Sequence, residues 1–165
     1  MAGKRLIFWN APDVFTKEKR SEVMSHIRGK GNKDTELVMI QILRSSHISG
    51  WRRNQAVLGK PDFVFYPLRP SGTSPKSQRA GFRGVALFVD GCFWHGCPKH
   101  SNMPRNNRAF WAKKLQGNKD RDKFVARELR KMGWKVVRVW EHELKYPEKV
   151  VAKLIKVLVG NRRDA

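Results

Sequence analysis

The sequence predicts a mixed α/β domain, and its hydrophobic pattern carries that prediction. Residues 85–89 form a continuous apolar run, which is typical of a central strand buried on both faces. Residues 134–140 alternate in the manner of a second strand. Segments with helical spacing lie before, between and after these strands, and this order favours a sheet covered by helices.

The amino-terminal part is expected to hold two helices and a hairpin. Val23, Met24 and Ile27 lie between charges in an amphipathic segment that Gly29 ends, and Asp34 is a plausible N-cap for a helix from Thr35 to about Leu43. Residues 51–57 and 62–66 have strand character, and the Gly-Lys-Pro sequence between them predicts a hairpin. Prolines, glycines and serines make residues 67–84 an exposed basic loop.

The carboxyl-terminal part is expected to alternate loop, helix, strand and helix. Residues 91–105 lack periodicity and form a loop. A helix is predicted from Asn107 to Met132, with a break near Gly117. Its buried stripe would consist of Phe124, Val125, Leu129 and Met132. Apolar residues at helical spacing between Val150 and Leu158 predict a closing helix. The organisation expected is an arm (1–17), one domain (18–160) and a short tail (161–165).

The charge balance points to a polyanionic partner. The chain has 35 Lys and Arg residues against 14 Asp and Glu residues, a formal net charge of +21. Nucleic acid is the natural partner, because neutralising phosphates releases counterions and yields affinity. A generically basic or ribosome-associated protein stays open on charge alone, which says nothing about catalysis.

Hydropathy and cysteine content indicate a cytoplasmic protein without membrane spans. No apolar run approaches the roughly 20 residues that a spanning helix needs. The apolar stretch from Leu6 to Trp9 is too short for a signal peptide. The two cysteines, Cys92 and Cys97, lie close together near histidines, which in a reducing compartment suggests a metal site more than a disulfide.

One group of residues has the pattern of a zinc site. Cys92, Cys97 and His100 would supply three ligands from one loop, and His142 would tie that loop to the end of a distant strand. Four protein ligands leave no open position, so such a zinc would be structural. Buried free thiols with unrelated histidines are the alternative. The remaining histidine of the loop, His95, is free for acid–base work or for a phosphate contact.

Carboxylates are few in this chain, so their positions matter. Asp62 opens one strand and Asp90 closes another, so the two could meet at one sheet edge and bind Mg²⁺ through oxygen. Asp62 as a turn residue is the simpler alternative. Glu36, at a helix start, and Asp122 have ordinary structural explanations as well, as a dipole partner and a solvated helix charge.

These motifs resemble those of the very-short-patch (Vsr) mismatch-repair endonucleases. Residues 59–64, Gly-Lys-Pro-Asp-Phe-Val, are similar to the family's Gly-Arg-Pro-Asp-Phe-Val segment. Residues 90–98 contain its Gly-Cys-Phe-Trp-His signature, and Trp140-Glu141 matches its late Trp-Glu pair. The resemblance covers about residues 18–158. The chain departs from the pattern at Asp90, where some members have histidine, and in the order of its zinc ligands.

The resemblance implies a restriction-endonuclease-like core and strand-specific nicking of double-stranded DNA at T:G mismatches with Mg²⁺. It implies that Asp62 is the metal-binding carboxylate, that His95 is the acid–base or phosphate-activating group, that Asp122 orients His95, and that Glu36 holds metal-bound water. The structural zinc ligands would be Cys92, Cys97, His100 and His142, and the intercalating side chains would be Phe93, Trp94 and Met24. Because Asp90 replaces a histidine of some members, the Mg²⁺ ligands of this chain are expected to include Asp90 as well as Asp62.

Two other functions remain open at this point. A restriction-like nuclease would cut both strands at a specific sequence, and a zinc-stabilised DNA-binding module would not cut at all. The chain is expected to act as a monomer, with MutL-type mismatch-repair proteins as candidate partners.

Overall fold

The computed structural model describes residues 35–67 and 82–159. The predicted arm, the segment that Gly29 ends, Met24, most of the basic loop and the tail lie outside these residues. Within the described ranges, a four-stranded mixed sheet forms the centre, in the order β1-β2-β3-β4. Its strands are β1 (Trp51–Arg52), β2 (Phe63–Phe65), β3 (Gly84–Asp90) and β4 (Trp134–Trp140).

The sheet pairing places three strand ends at one edge. β1 pairs with β2 and β2 with β3 in antiparallel fashion, so the start of β2 lies beside the end of β3. β3 and β4 are parallel, with Asp90 opposite Trp140, so both end at the same edge. The expected hairpin and the buried central strand are both present, although residues 53–57 do not continue β1.

Helices cover both faces of the sheet. They are α1 (Glu36–Ser45), α2 (Arg108–Lys131) and α3 (Pro147–Val159), and a 3₁₀ helix (Glu141–Lys145) follows β4. On one face, Met39 of α1 and Leu154 of α3 pack in a cluster with Leu87. On the other face, Val125 and Leu129 of α2 pack with the sheet. Successive strand residues point to opposite faces, so each strand serves both layers.

The prediction for α2 was wrong in two respects. The helix runs without interruption through Gly117, because a glycine costs only about 1 kcal/mol in a helix and α2 is held on both sides of it by packing. The buried stripe is also rotated. Leu115, Val125, Ala126 and Leu129 are buried, whereas Phe124 and Met132 are 49% and 42% exposed.

The helices expected near Thr35–Leu43 and Val150–Leu158 are present, whereas the one expected before Gly29 lies outside the described residues. α1 extends two residues beyond Leu43, and α3 begins at Pro147, before Val150. None of the helices in the described ranges is long and apolar enough to cross a membrane.

Candidate active site

A glycine-containing turn brings Asp62 to the sheet edge. Gly59 has a φ of +76°, and a Cβ at this position would lie 2.2 Å from Val125 Cγ1, so the turn packs closely on α2. The chain then enters β2, and Asp62 Oδ2 accepts a hydrogen bond from the Val89 N–H at 2.7 Å. This bond places the Asp62 carboxylate beside the end of β3.

The Asp62 carboxylate lies in an environment that disfavours its charge. Burial raises the pKa of Asp62 to about 6, the Val89 N–H opposes that rise, and the negative charges of Glu36 and Asp90 add to it. Carboxylate oxygen is a ligand that divalent cations prefer, and a cation beside Asp62 would offset the repulsion from Glu36 and Asp90.

Glu36 is the first residue of α1 and is buried. Its Oε2 accepts a hydrogen bond from Arg53 Nη2, which lies just after β1. Arg53 therefore fixes the Glu36 side chain, whose negative charge lies close enough to raise the pKa of Asp62. The sequence patterns did not reveal Arg53, because its partner depends on how β1 packs beside α1.

His95 is paired with Asp122. The His95 Nδ1 lies 2.6 Å from Asp122 Oδ2. Burial alone would raise the pKa of Asp122, but His95 and then Arg138 lower it overall, so the carboxylate is anionic. An anionic carboxylate only accepts hydrogen bonds, so Nδ1 carries the proton and Nε2 is the nitrogen left for other partners.

α2 fixes the loop that carries His95 at two further points. Asn118 Nδ2 donates to the Trp94 carbonyl oxygen at 2.9 Å. Gly96 has a φ of +63°, and a Cβ there would lie 2.0 Å from Lys119 Cε, so the lysine stem lies directly on the glycine. Contacts from two consecutive residues of α2 thus hold the loop on both sides of His95.

Arg138 of β4 joins the acidic groups of this edge. Its Nε and Nη2 donate to the two oxygens of Asp90 at 2.5 and 2.6 Å. The same Nη2 lies 3.1 Å from Asp122 Oδ2 and 3.3 Å from His95 Nδ1. Burial would lower the pKa of Arg138, but Asp90 and Asp122 raise it overall. The guanidinium is therefore charged.

Sequence reasoning missed Arg138, although one signal was available. Strand alternation places residue 138 on the same face of β4 as Trp134 and Val136, which pack toward α2. An arginine on that face needs an acidic partner, and Asp90 is the carboxylate at the end of the neighbouring strand.

An aromatic cluster adjoins His95. The rings of Phe93 and Trp94 meet edge to face with centroids 5.1 Å apart. Trp111 of α2 contacts Phe93 at 5.4 Å and Trp94 at 6.1 Å. Phe93 and Trp94 are both partly exposed. They are therefore available to a partner while Trp111 supports them from behind.

The four predicted zinc ligands converge. One ligand atom from each of Cys92, Cys97, His100 and His142 lies within 4.8 Å of all the others. His142 Nδ1 lies 3.2 Å from Cys92 Sγ and 3.6 Å from Cys97 Sγ, and His100 Nδ1 lies 3.7 Å from Cys97 Sγ. Tetrahedral zinc, with bonds of about 2.3 Å to sulfur and about 2.0 Å to nitrogen, separates the two atom types by about 3.6 Å. The donor set fits a closed metal site.

The surroundings favour the neutral forms of Cys92 and His142. Burial raises the pKa of the Cys92 thiol, and Cys97 and Glu141 raise it further against the opposing effect of the His142 backbone. Burial and the neighbouring His100 lower the pKa of His142. Glu141 Oε2 also accepts the Cys92 N–H at 3.0 Å, which ties the loop to the end of β4.

Comparison with known proteins decides the family. The model of the DNA mismatch endonuclease Vsr family matches residues 12–70. The type II nicking enzyme V.NmeAIP of Neisseria meningitidis is 34% identical over 155 residues, which cover 93% of this chain and 98% of that protein. The chain belongs to the Vsr DNA mismatch endonuclease family.

Two further relatives of this Vsr chain show how the similarity is distributed. The type II nicking enzyme V.NaeI of Lentzea aerocolonigenes is 42% identical over 92 residues, which cover 56% of this chain and 46% of that protein. The Escherichia coli DNA mismatch endonuclease Vsr is 28% identical over 141 residues, which cover 84% of the chain and 79% of that protein. The Vsr similarity therefore extends across most of the chain.

The structure brings most of the residues predicted for the site together. Asp62, Glu36 and Asp90 lie near one another, and His95 lies against Asp122. Met24 lies outside the described residues. Membership of the Vsr family confirms the resemblance drawn from the motifs, while the roles of individual residues stay predictions.

Proposed function

We propose that this chain is a Mg²⁺-dependent endonuclease that nicks one strand of duplex DNA at T:G mismatches in very-short-patch repair. One observation carries the proposal: the His95–Asp122 pair, with Nδ1 and Oδ2 2.6 Å apart, lies at the same sheet edge as the partly buried Asp62 carboxylate. Its relatives, which are named as nicking enzymes and as a mismatch endonuclease, support the same activity.

Asp62 is the carboxylate that we assign to the cation. Its environment raises its pKa to about 6, so a cation beside it would relieve repulsion as well as gain a ligand. Bound Mg²⁺ would supply positive charge at the scissile phosphate, where negative charge develops during hydrolysis. The sequence predicted Asp90 as a second ligand, but Arg138 donates to both of its oxygens at 2.5 and 2.6 Å, so the cation is assigned to Asp62. Glu36 is the residue predicted to hold water of the cation's shell.

His95 is assigned the proton chemistry. Hydrolysis joins a water oxygen to phosphorus and breaks the bond to one sugar oxygen, so a proton leaves the water and another reaches the leaving group. Asp122 occupies Nδ1, and His95 therefore presents Nε2. This nitrogen is suited to accept a proton from water or, once protonated, to donate to the phosphate or leaving oxygen.

The cysteine and histidine cluster is assigned to a metal. We assign a structural Zn²⁺ to Cys92, Cys97, His100 and His142, because four soft or borderline donors leave no position open for substrate.

Mismatch selection is assigned to Phe93 and Trp94, whose rings would insert between neighbouring base pairs. Opening a base step costs a few kcal/mol, and the cost is least at a mispaired site. Insertion of these two rings should therefore favour mismatched DNA.

The decisive experiment is cleavage of duplexes labelled on each strand in turn. The panel contains T:G, the other mismatches and matched DNA, with Mg²⁺, and compares the wild type with D62N. We expect the wild type to nick one strand of the T:G duplex and D62N to bind without cutting. Cleavage of both strands would favour a restriction-like nuclease. Tight binding without any cleavage by the wild type would favour a non-catalytic module.

A further inference from the structure

Arg138 lies among the charged groups around His95, and the chemistry proposed above gives it no role. Its guanidinium donates twice to Asp90, at 2.5 and 2.6 Å, and its Nη2 also lies 3.1 Å from Asp122 Oδ2. Asp122 Oδ2 is the same oxygen that accepts the His95 Nδ1–H. One carboxylate oxygen is therefore held by two donors from different elements.

The guanidinium is itself anchored. Asp90 is 2% exposed and engages both Nε and Nη2, so the planar group cannot rotate without breaking a buried ion pair. Phe88 lies under the guanidinium, with its ring centroid 5.3 Å from Cζ, and it is the β3 residue opposite Arg138 in the parallel register. The two central strands therefore fix Arg138, and Arg138 in turn reaches α2.

We propose that Arg138 is a positioning residue, which holds the Asp122 carboxylate in the orientation where His95 presents Nε2 to the DNA. Asp90 then acts as the anchor of Arg138. A carboxylate that accepts one hydrogen bond can turn about its side-chain bonds, whereas the second donor at 3.1 Å fixes Oδ2 in place. The kinetic test of this inference rests on the proposed function, and the spectroscopic test does not.

Lysine is the informative substitution. It keeps the positive charge beside Asp90, so the buried carboxylate retains a partner and the fold is protected. A single ammonium lacks the planar fork that reaches Asp90 with two nitrogens while contacting Asp122. R138K should therefore separate charge from geometry, and R138Q should remove both.

The matched control is R127Q. Arg127 also lies in an ion pair, at 3.0 Å from Glu128, but its side chain is 64% exposed on α2. This variant loses the same formal charge without touching the His95 region. It therefore corrects for the general effect of one cation on DNA affinity.

The kinetic test is single-turnover nicking of a T:G duplex at saturating enzyme, with Mg²⁺ titrated. We expect R138K to be slowed about 10-fold and R138Q about 10²-fold, the scale of a catalytic group misplaced by about 1 Å. The DNA dissociation constant of R138Q should match that of R127Q, and the Mg²⁺ midpoint should not move. Nicking by R138Q at the R127Q rate, or a raised Mg²⁺ midpoint, would overturn the proposal.

A double substitution tests the anchor. Because Asp90 is proposed to act through Arg138, adding D90N to R138K should slow nicking less than D90N does in the wild type. An equal loss in both backgrounds together with a raised Mg²⁺ midpoint would show that Asp90 binds the cation, and the anchor role would be wrong.

The spectroscopic test observes His95 directly, by long-range proton–nitrogen correlation of the histidine rings without DNA or Mg²⁺, with H95Q to assign the signals. In the wild type and R127Q, Nδ1 of His95 should carry the proton and Nε2 should be unprotonated. In R138K, the His95 signals should instead be an average of the two tautomers. An unchanged His95 tautomer in R138K would overturn the proposal. A wild type that fails to nick T:G DNA would refute the proposed function and leave this readout intact.

Discussion

The His95 Nδ1 lies 2.6 Å from Asp122 Oδ2, and this contact joins the loop after β3 to the middle of α2. The pairing assigns the proton to Nδ1, because the pKa of Asp122 is held below its usual range by His95 and Arg138. The tautomer of His95 therefore depends on a residue 27 positions away in sequence.

Asp122→Asn should slow nicking by roughly 10²–10⁴-fold, the range found when acid–base help is lost. An amide can donate to Nδ1 and so favour the wrong tautomer, with the proton on Nε2. His95→Ala should slow nicking by a factor in the same range. Single-turnover nicking of a T:G duplex measures the effect.

The control for this substitution is Asp120→Asn, on the same helix. Asp120 is exposed and accepts a hydrogen bond from Gln116 at 2.9 Å, without contact to His95. D120N should nick as the wild type does. Equal rates for D120N and D122N would remove the role assigned to Asp122.

Asp62→Asn should nearly abolish cleavage and leave DNA binding intact or slightly tighter. The amide lacks the charge that a magnesium ligand supplies, and its neutrality lowers repulsion toward phosphate. Strand-resolved nicking and a binding titration on one duplex measure both effects. If D62N nicks at the wild-type rate, the assigned active site is wrong.

The pKa of Asp62 gives a pH dependence with a definite sign. Its folded-state pKa is about 6, above the ordinary value of 3.8. Without Mg²⁺, the stability gained from the protonated carboxyl is present below about pH 4 and is lost as pH rises through about 6. The melting temperature of the wild type relative to D62N should therefore fall over this window.

Nicking should show the opposite trend. Cation binding needs the carboxylate form, so activity at subsaturating Mg²⁺ should drop as pH falls through about 6, and added Mg²⁺ should restore it. A nicking rate that is flat from pH 5 to 7, across the value of about 6, would contradict the assignment of Asp62 to the cation.

Patterns local in sequence predicted the fold well where burial is periodic. The apolar run of β3 and the alternation of β4 identify both central strands, and the spacing of the cysteines and histidines identified the candidate zinc ligands. The prediction failed in α2, where Phe124 and Met132 are exposed, because helical spacing alone does not say which of two adjacent stripes faces the sheet.

The partners of the site residues were harder to predict, because they depend on strand register. Asp90 was recognised as an acidic residue at a strand end, but Arg138 meets it only because β3 and β4 pair in parallel with Phe88 opposite Arg138. Arg53 likewise donates a hydrogen bond to Glu36 only because the fold brings the end of β1 close to the start of α1. Such contacts are set by tertiary structure.

Purified protein should contain one zinc per chain. Cys92→Ser and His142→Ala should lose the metal and unfold or precipitate, because a structural zinc contributes folding free energy. His47→Asn is the control: His47 is exposed, lies outside the cluster and has a φ of +54°, which asparagine tolerates. Elemental analysis with thermal unfolding tests this, and a folded, zinc-free C92S protein would refute it.

DNA binding should weaken steeply as salt is added. The formal net charge of +21 implies many phosphate contacts, and each released counterion adds to the slope of log affinity against log salt. Matched and mismatched duplexes should give similar slopes, since phosphate contacts carry no sequence information. An affinity that does not change with salt would count against a phosphate-dominated interface.

Phe93→Ala and Trp94→Ala should reduce the preference for T:G over matched DNA. The two rings meet at 5.1 Å and Trp111 supports them, which favours a rigid wedge that reads how easily a base step opens. The matched control is Phe124→Ala, which removes an exposed aromatic side chain on α2, away from this cluster.

The measurement is the ratio of nicking rates on the two duplexes, together with the melting temperature of each variant. A wedge role predicts a lower ratio with a small change in stability, whereas core packing predicts a lower melting temperature with the ratio unchanged. Because both rings are partly exposed, we expect the first result, and an unchanged ratio in both variants would leave mismatch selection to other residues.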